Sequence, residues 1–227
     1  MTLLERLRER TGPWHRRLEA ELPLMRPGGD ERVYARYLAQ LWGFHAPVER
    51  ALALVPGLER AGLPVAARVK CPALAADLEA LGLSRAEIAR LPWCEFSPCP
   101  TDVPSALGCA YVLEGATLGG QVVRRELLRR IPGTIERASR YLTIYGAETG
   151  ACWREFTHVL ASFRGDARAA ATVVDSACAT FAALHRWLIA PPADVATARD
   201  TAARDAAARD GSARDGAPAR EGAPLDG

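Results

Sequence analysis

The stretch Ala110-Tyr111-Val112-Leu113-Glu114-Gly115-Ala116-Thr117-Leu118-Gly119-Gly120-Gln121-Val122 decides how this chain is read. From Ala106 to Leu118 the only charged side chain is Glu114, which is the pattern of a buried helix. Glycines stand at 115, 119 and 120, and inside a helix each costs on the order of 1 kcal/mol relative to alanine. Two physical reasons account for such a bare backbone. Gly115 and Gly119, one turn apart, open one face to a close neighbouring helix or to a flat ligand, and the Gly119-Gly120 pair permits a bend.

Outward from this stretch the chain reads as helices joined by short proline- and glycine-marked turns. Thr2 with Glu5 has the form of a capping box, and Leu3, Leu4, Leu7, Thr11, Trp14, Leu18 and Leu22 follow at steps of three and four. Gly12-Pro13 interrupts this first helix, so the expectation is a kink, or two short helices with Thr11 capping the second. Asp30 caps a second helix with an aromatic inner face containing Tyr34, Tyr37, Trp42 and Phe44. Shorter helices are expected over 64–70, 72–81 and 84–90, then a loop rich in proline and cysteine up to Asp102, which opens the glycine-bearing helix with Pro104. Further helices are expected from about Ile135, around 145–163 with Tyr145 and Trp153 on one side, and over 166–188. No two-residue alternation is convincing anywhere, so the class is all-α: one multi-helix domain over 1–192. Over 193–227 an Ala-Arg-Asp repeat takes over, low in large apolar residues and expected to be disordered.

Composition narrows the function. The 227 residues are 49% hydrophobic and 25% charged with a formal net charge of +2, and the basic side chains are interspersed with acids, so nucleic acid is not the expected partner. The start lacks the apolar core of a signal peptide, and no stretch of roughly 18 to 20 apolar residues is evident, which predicts a cytoplasmic protein without a membrane span. Six scattered cysteines argue for reduced, mostly buried thiols.

Among four histidines, His15 stands apart because Glu19 follows one turn later and can orient an imidazole that binds metal through its other nitrogen. No second ligand accompanies it at metal spacing. A lone histidine ligand in an all-α protein suits haem, whose porphyrin supplies four ligands of its own.

These residues resemble those of haem oxygenases. The segment Leu7-Arg8-Glu9-Arg10-Thr11-Gly12-Pro13-Trp14-His15-Arg16-Arg17-Leu18-Glu19 is similar to their proximal helix, and Tyr111 to Gly120 to their distal helix, especially in the bacterial branch. Tyr145-Gly146-Ala147-Glu148-Thr149-Gly150-Ala151-Cys152-Trp153-Arg154-Glu155-Phe156 is similar to a later bacterial helix. The resemblance implies haem b, both cofactor and substrate, held between the first helix and the glycine helix with His15 on iron. It implies oxidative opening of the ring to biliverdin with release of iron and CO, using O2 and electrons from an external ferredoxin or reductase. The purpose that the resemblance implies is iron release or supply of the bilin to a bacterial phytochrome. The resemblance makes Gly115, Ala116, Thr117, Gly119 and Gly120 the distal residues, with Arg8 facing a propionate alongside His15 and Glu19; Arg16, Arg124 and Arg125 are further cationic candidates. In the mammalian-type pattern an aspartate follows the first distal glycine and organises water; here that position is Ala116, with Thr117 and Glu114 the nearest polar groups. The alternative from another class is a non-catalytic haem carrier on the same fold.

Overall fold

In a computed structural model, which describes residues 1–189, all regular structure among the described residues is helical. The main helices are α1 (Leu3–Glu21), α2 (Glu31–Ala53), α3 (Cys71–Ala80), α4 (Arg85–Ala89), α5 (Val103–Arg130), α6 (Pro132–Arg137), α7 (Thr149–Ser162) and α8 (Ala167–Ile189). The repeat expected to be disordered at 193–227 lies outside the described residues.

Local chemistry sets most boundaries. Thr2 and Glu5 form the expected reciprocal cap of α1, Ser84 and Glu87 that of α4, and Asp102 with Ser105 that of α5. Asp30 accepts the Val33 amide at the start of α2. Pro13 does not divide α1: the helix runs on to Glu21, and the buried Thr11 hydroxyl donates to the Leu7 carbonyl at 2.7 Å instead of capping a second helix. A proline costs the helix one backbone hydrogen bond, which packing of Leu7 and Thr11 in the core outweighs. The expected helix over 64–70 is reduced to a single 3-10 turn, Val65–Arg68, and α6 begins at Pro132, ahead of Ile135. Tyr145 falls outside α7, because Gly146 at φ 50° turns the chain and a 3-10 turn, Gly146–Glu148, precedes Thr149.

α8 is the organising contact of the bundle. It packs against α5, α1 and α2, and its face of Val173, Val174, Ala177, Phe181, Leu184 and Leu188 is buried. By length and composition α8 could cross a bilayer, contrary to the expectation of no such stretch; here that apolar face is spent on the core. The approach to α5 is close: a Cβ on Gly108 would stand 2.3 Å from the Val173 carbonyl oxygen and 2.6 Å from the Ser176 Cβ. His185 Nε2 lies 2.9 Å from the Glu21 carboxylate, fastening the end of α1 to α8.

Two buried carboxylates tie the shorter elements down. Glu49 of α2 accepts the Lys70 and Cys71 amides at 2.7 and 3.3 Å, capping α3 from a neighbouring helix, and lies 3.2 Å from His45 Nδ1. Asp77 of α3 accepts the amides of Arg140 and Tyr141, both at 2.8 Å. Burial alone would raise the Glu49 carboxyl, but the hydrogen bond and charge of His45, the Lys70 amide and the Cys71 side chain outweigh that and hold it below its ordinary value of 4.5.

Gly108→Ala is expected to lower stability by about 1–3 kcal/mol, read as a fall in thermal midpoint, because the added methyl must push α5 off α8. Stability owed to Glu49 is present above the unfolded value and is lost as pH falls through the lower folded value. The thermal midpoint should therefore drop below about pH 4.5, and Glu49→Gln should make that drop shallower.

Candidate functional site

The glycines of α5 have unlike surroundings. A Cβ on Gly120 would meet the Leu142 carbonyl oxygen at 2.9 Å, so this glycine lets the backbone around Leu142 pack on the helix. A Cβ on Gly115 would lie 3.8 Å from the Trp153 indole, an ordinary contact. A Cβ on Gly119 would meet nothing within 4 Å. Around Gly119 the helix shows Leu118, 41% exposed, and Val122, 60% exposed, so one face of α5 presents bare backbone flanked by uncovered apolar side chains. Packing explains Gly108 and Gly120 and leaves Gly119 without a structural reason for its cost in helix stability.

The other expected distal residues differ in burial and bonding. Thr117 is buried and its hydroxyl donates to the Glu114 carbonyl at 2.7 Å, so it is spent inside the helix. Ala116 is half-buried and carries no polar group. Glu114, beside Gly115, is 3% exposed and meets two cations: Arg68 Nη1 donates to Oε2 at 2.6 Å, and Lys70 Nζ, itself 1% exposed, donates to Oε1. Tyr145 donates to both carboxylate oxygens at 3.1 and 3.2 Å. Burial and then the Glu114 charge push the Tyr145 phenol well above its ordinary range, keeping it a donor. The sequence marked Glu114 as the lone charge of a buried helix; its partners come from a loop and a turn at no fixed spacing, so only the fold could name them.

On α1, His15 is 56% exposed on its side chain, and its Nδ1 lies 3.3 Å from a Glu19 carboxylate oxygen. One turn of helix thus brings together the two residues that the spacing had paired, and Nε2 has no partner among the described residues. The ring stands edge-on to Phe181 of α8, centroids 6.2 Å apart. Arg8, Arg16 and Arg125 are exposed, whereas Arg124 donates to Ser139 at 3.3 Å. The other histidines differ: His45 is buried between Glu49 and Tyr141, His185 is held by Glu21, and His158 lies exposed on α7.

α1 and α5 are not in substantial contact with each other, whereas α7 and α8 each pack on both. A small, partly open pocket beside Glu114, lined by Leu52, Leu63, Arg68 and Lys70 among others, measures about 20 Å³ and has room for little more than a water molecule. Among the described residues no three His, Cys, Asp or Glu side chains gather as a metal cluster, and no cysteine is paired. Burial raises the Cys109 thiol to about 11, so at neutral pH it is protonated and a poor metal ligand.

Within this all-α fold, His15 with Glu19 on α1 and the open Gly119 on α5 are the two features that packing leaves unexplained. Comparison gives the family: the model described as Heme oxygenase matches residues 1–190, and the chain belongs to that family of enzymes. It is 36% identical over 124 residues to a heme oxygenase of Xanthomonas campestris pv. campestris (strain 8004), covering 54% of this chain and 69% of that one. Its fold is similar to that of the NO- and CO-bound heme oxygenase from Neisseria meningitidis, with a TM-score of 0.66 and 21% identity over 86% of this chain and 96% of that one. A heme oxygenase from Leptospira interrogans gives a TM-score of 0.63 at 17% identity, covering 83% and 99%. Haem as the bound molecule follows from the family.

Gly119→Ala should leave the thermal midpoint unchanged or raise it, by up to about 1 kcal/mol of stability, because the methyl enters open space and alanine favours helix. Gly120→Ala should lower it through the contact with Leu142, and calorimetry of the two variants side by side reads this opposition.

Proposed function

We propose that this chain cleaves haem to biliverdin, iron and CO, with His15 as the iron ligand and the Gly119 face of α5 as the opposite wall. Gly119 carries the reading: a helix residue that lowers stability, packs against nothing and adjoins exposed Leu118 and Val122 is explained by a flat ligand passing close to the backbone. Haem, when bound, supplies the redox chemistry with O2, and electrons come from an external ferredoxin or reductase.

The side chains do the rest. Glu19 holds the proton on His15 Nδ1 and so presents Nε2 as the coordinating atom. As an iron ligand His15 would lack the electron push of a thiolate, which would suit oxidation of the macrocycle itself. Phe181 limits the tilt of the ring from the α8 side. Arg8, two turns before His15 and exposed, is placed to meet a propionate, with Arg16 and Arg125 as further cations.

Over Gly119 the backbone admits a small ligand where any larger side chain would intrude. Gly115, Ala116, Leu118, Gly119 and Val122 supply no acid there, and Thr117 donates inward, so protons reach this face through solvent instead of from a side chain of α5. The domain boundary near residue 192, a cytoplasmic location and transfer of biliverdin to a bacterial phytochrome belong to the same reading.

The wild-type protein should bind haem about one to one with a histidine-type spectrum. Given haem, O2 and a reductant, it should lose the Soret band as a bilin band grows. His15→Ala should keep the helical circular dichroism and lose turnover by at least about tenfold, with partial recovery on added imidazole. Undiminished turnover without imidazole would remove His15 from the iron, and a stable ferrous-oxy spectrum in the wild type would favour a carrier.

A further inference from the structure

We propose that Trp153 is a wall of the haem site that sets how far the macrocycle sits along α5, and with it which meso edge lies over Gly119. Arg68 and Glu114 act as a buried clamp holding the indole in place. The proposal rests on the reading of the glycine face as the distal wall.

Gly115 and Gly119 lie one turn apart on α5 and look equivalent in sequence, yet only Gly119 is open. The Trp153 Cζ3 and Cη2 atoms occupy the space above Gly115, each 3.8 Å from where a Cβ would stand. The indole is half-buried, tilted against Tyr111 of α5 with centroids 5.7 Å apart and against Phe156 of its own helix at 5.9 Å. α7, which carries the indole, packs on both α1 and α5. A rigid planar ligand approaching the glycine face meets open backbone at Gly119 and an aromatic stop at Gly115.

The stop is held from behind. Arg68 donates to Glu114 Oε2 at 2.6 Å, to the Cys152 carbonyl at 3.4 Å and to Glu155 at 3.3 Å. One guanidinium therefore joins the residue before Gly115 to the residue before Trp153. Arg68 is 10% exposed, Lys70 and Glu114 less, so these charges are held out of water, and losing one leaves the others buried and unpaired. The clamp sets the spacing of α5 and α7 at the level of Gly115. The indole's reach then decides where the macrocycle stops.

The test compares wild type, Trp153→Ala and Trp153→Phe, each loaded with haem in the ferric cyanide form. Proton NMR of the hyperfine-shifted haem methyl groups reads the in-plane orientations, and chromatography reads the biliverdin isomers after turnover. Trp153→Ala should show a second set of haem-methyl resonances, roughly a tenth of the signal or more, with an isomer mixture broadened to match. Trp153→Phe should fall between Trp153→Ala and wild type, and Glu114→Gln should move in the same direction as Trp153→Ala. A Trp153→Ala protein with bound haem, one methyl set at wild-type positions and the wild-type isomer ratio overturns the proposal. If Trp153→Ala fails to fold by circular dichroism, Trp153→Leu carries the same expectation and the same refutation. Soret titration separates the two levels: a wild type that takes up no haem overturns the site reading and this proposal together, whereas wild-type behaviour in a haem-loaded variant overturns this proposal alone.

Discussion

A carboxylate enclosed in α5 governs the rest of the arrangement. Glu114 cannot be buried as a charge without partners, and it finds them in Arg68, Lys70 and Tyr145, all on one side of the helix. That requirement fixes the rotation of α5 about its axis. With Glu114 turned toward the loop that carries Arg68 and Lys70, Gly120 must face Leu142 and Gly119 must face outward. A different rotation would leave two cations and a carboxylate unpaired in the core, a cost that outweighs any single apolar contact on the helix.

The glycines then divide by task. Gly108 lets α8 approach to a distance that no side chain would tolerate, and Gly120 does the same for the backbone at Leu142; both repay their helix cost in packing. Gly119 repays nothing within the protein. The proposed haem face supplies a reason, local order being given up there for access. His15 is a similar case on α1: it stands at the border of the apolar face, more than half exposed, with its orientation set by Glu19.

Much of the fold was legible because its signals are local. The caps at Thr2, Ser84 and Asp102, the prolines and glycines between helices and the three- and four-residue apolar steps each act within a few residues, so helix existence and class followed from them. Expectations failed where tertiary contact overrode a local rule. Pro13 was absorbed because Leu7 and Thr11 are pinned in the core, and Tyr145 left its helix because Gly146 turns the chain and Glu114 needs a donor. The motif names Thr117 and Gly120 as distal residues, and the fold adds that Thr117 bonds within α5 and that Gly120 packs on Leu142.

By itself the sequence determined the helical class, the pairing of His15 with Glu19 one turn apart and the presence of a helix with more glycine than its stability allows. These depend on spacing along one element, which a linear chain records. Only the tertiary structure decided that Gly108 and Gly120 pack while Gly119 stays open, that Glu114 is closed off by Arg68 and Lys70, and that an indole from α7 covers Gly115. Those facts depend on which elements meet and at what rotation, and that is settled by burying α8 against its neighbours and by pairing Glu114 with Arg68 and Lys70.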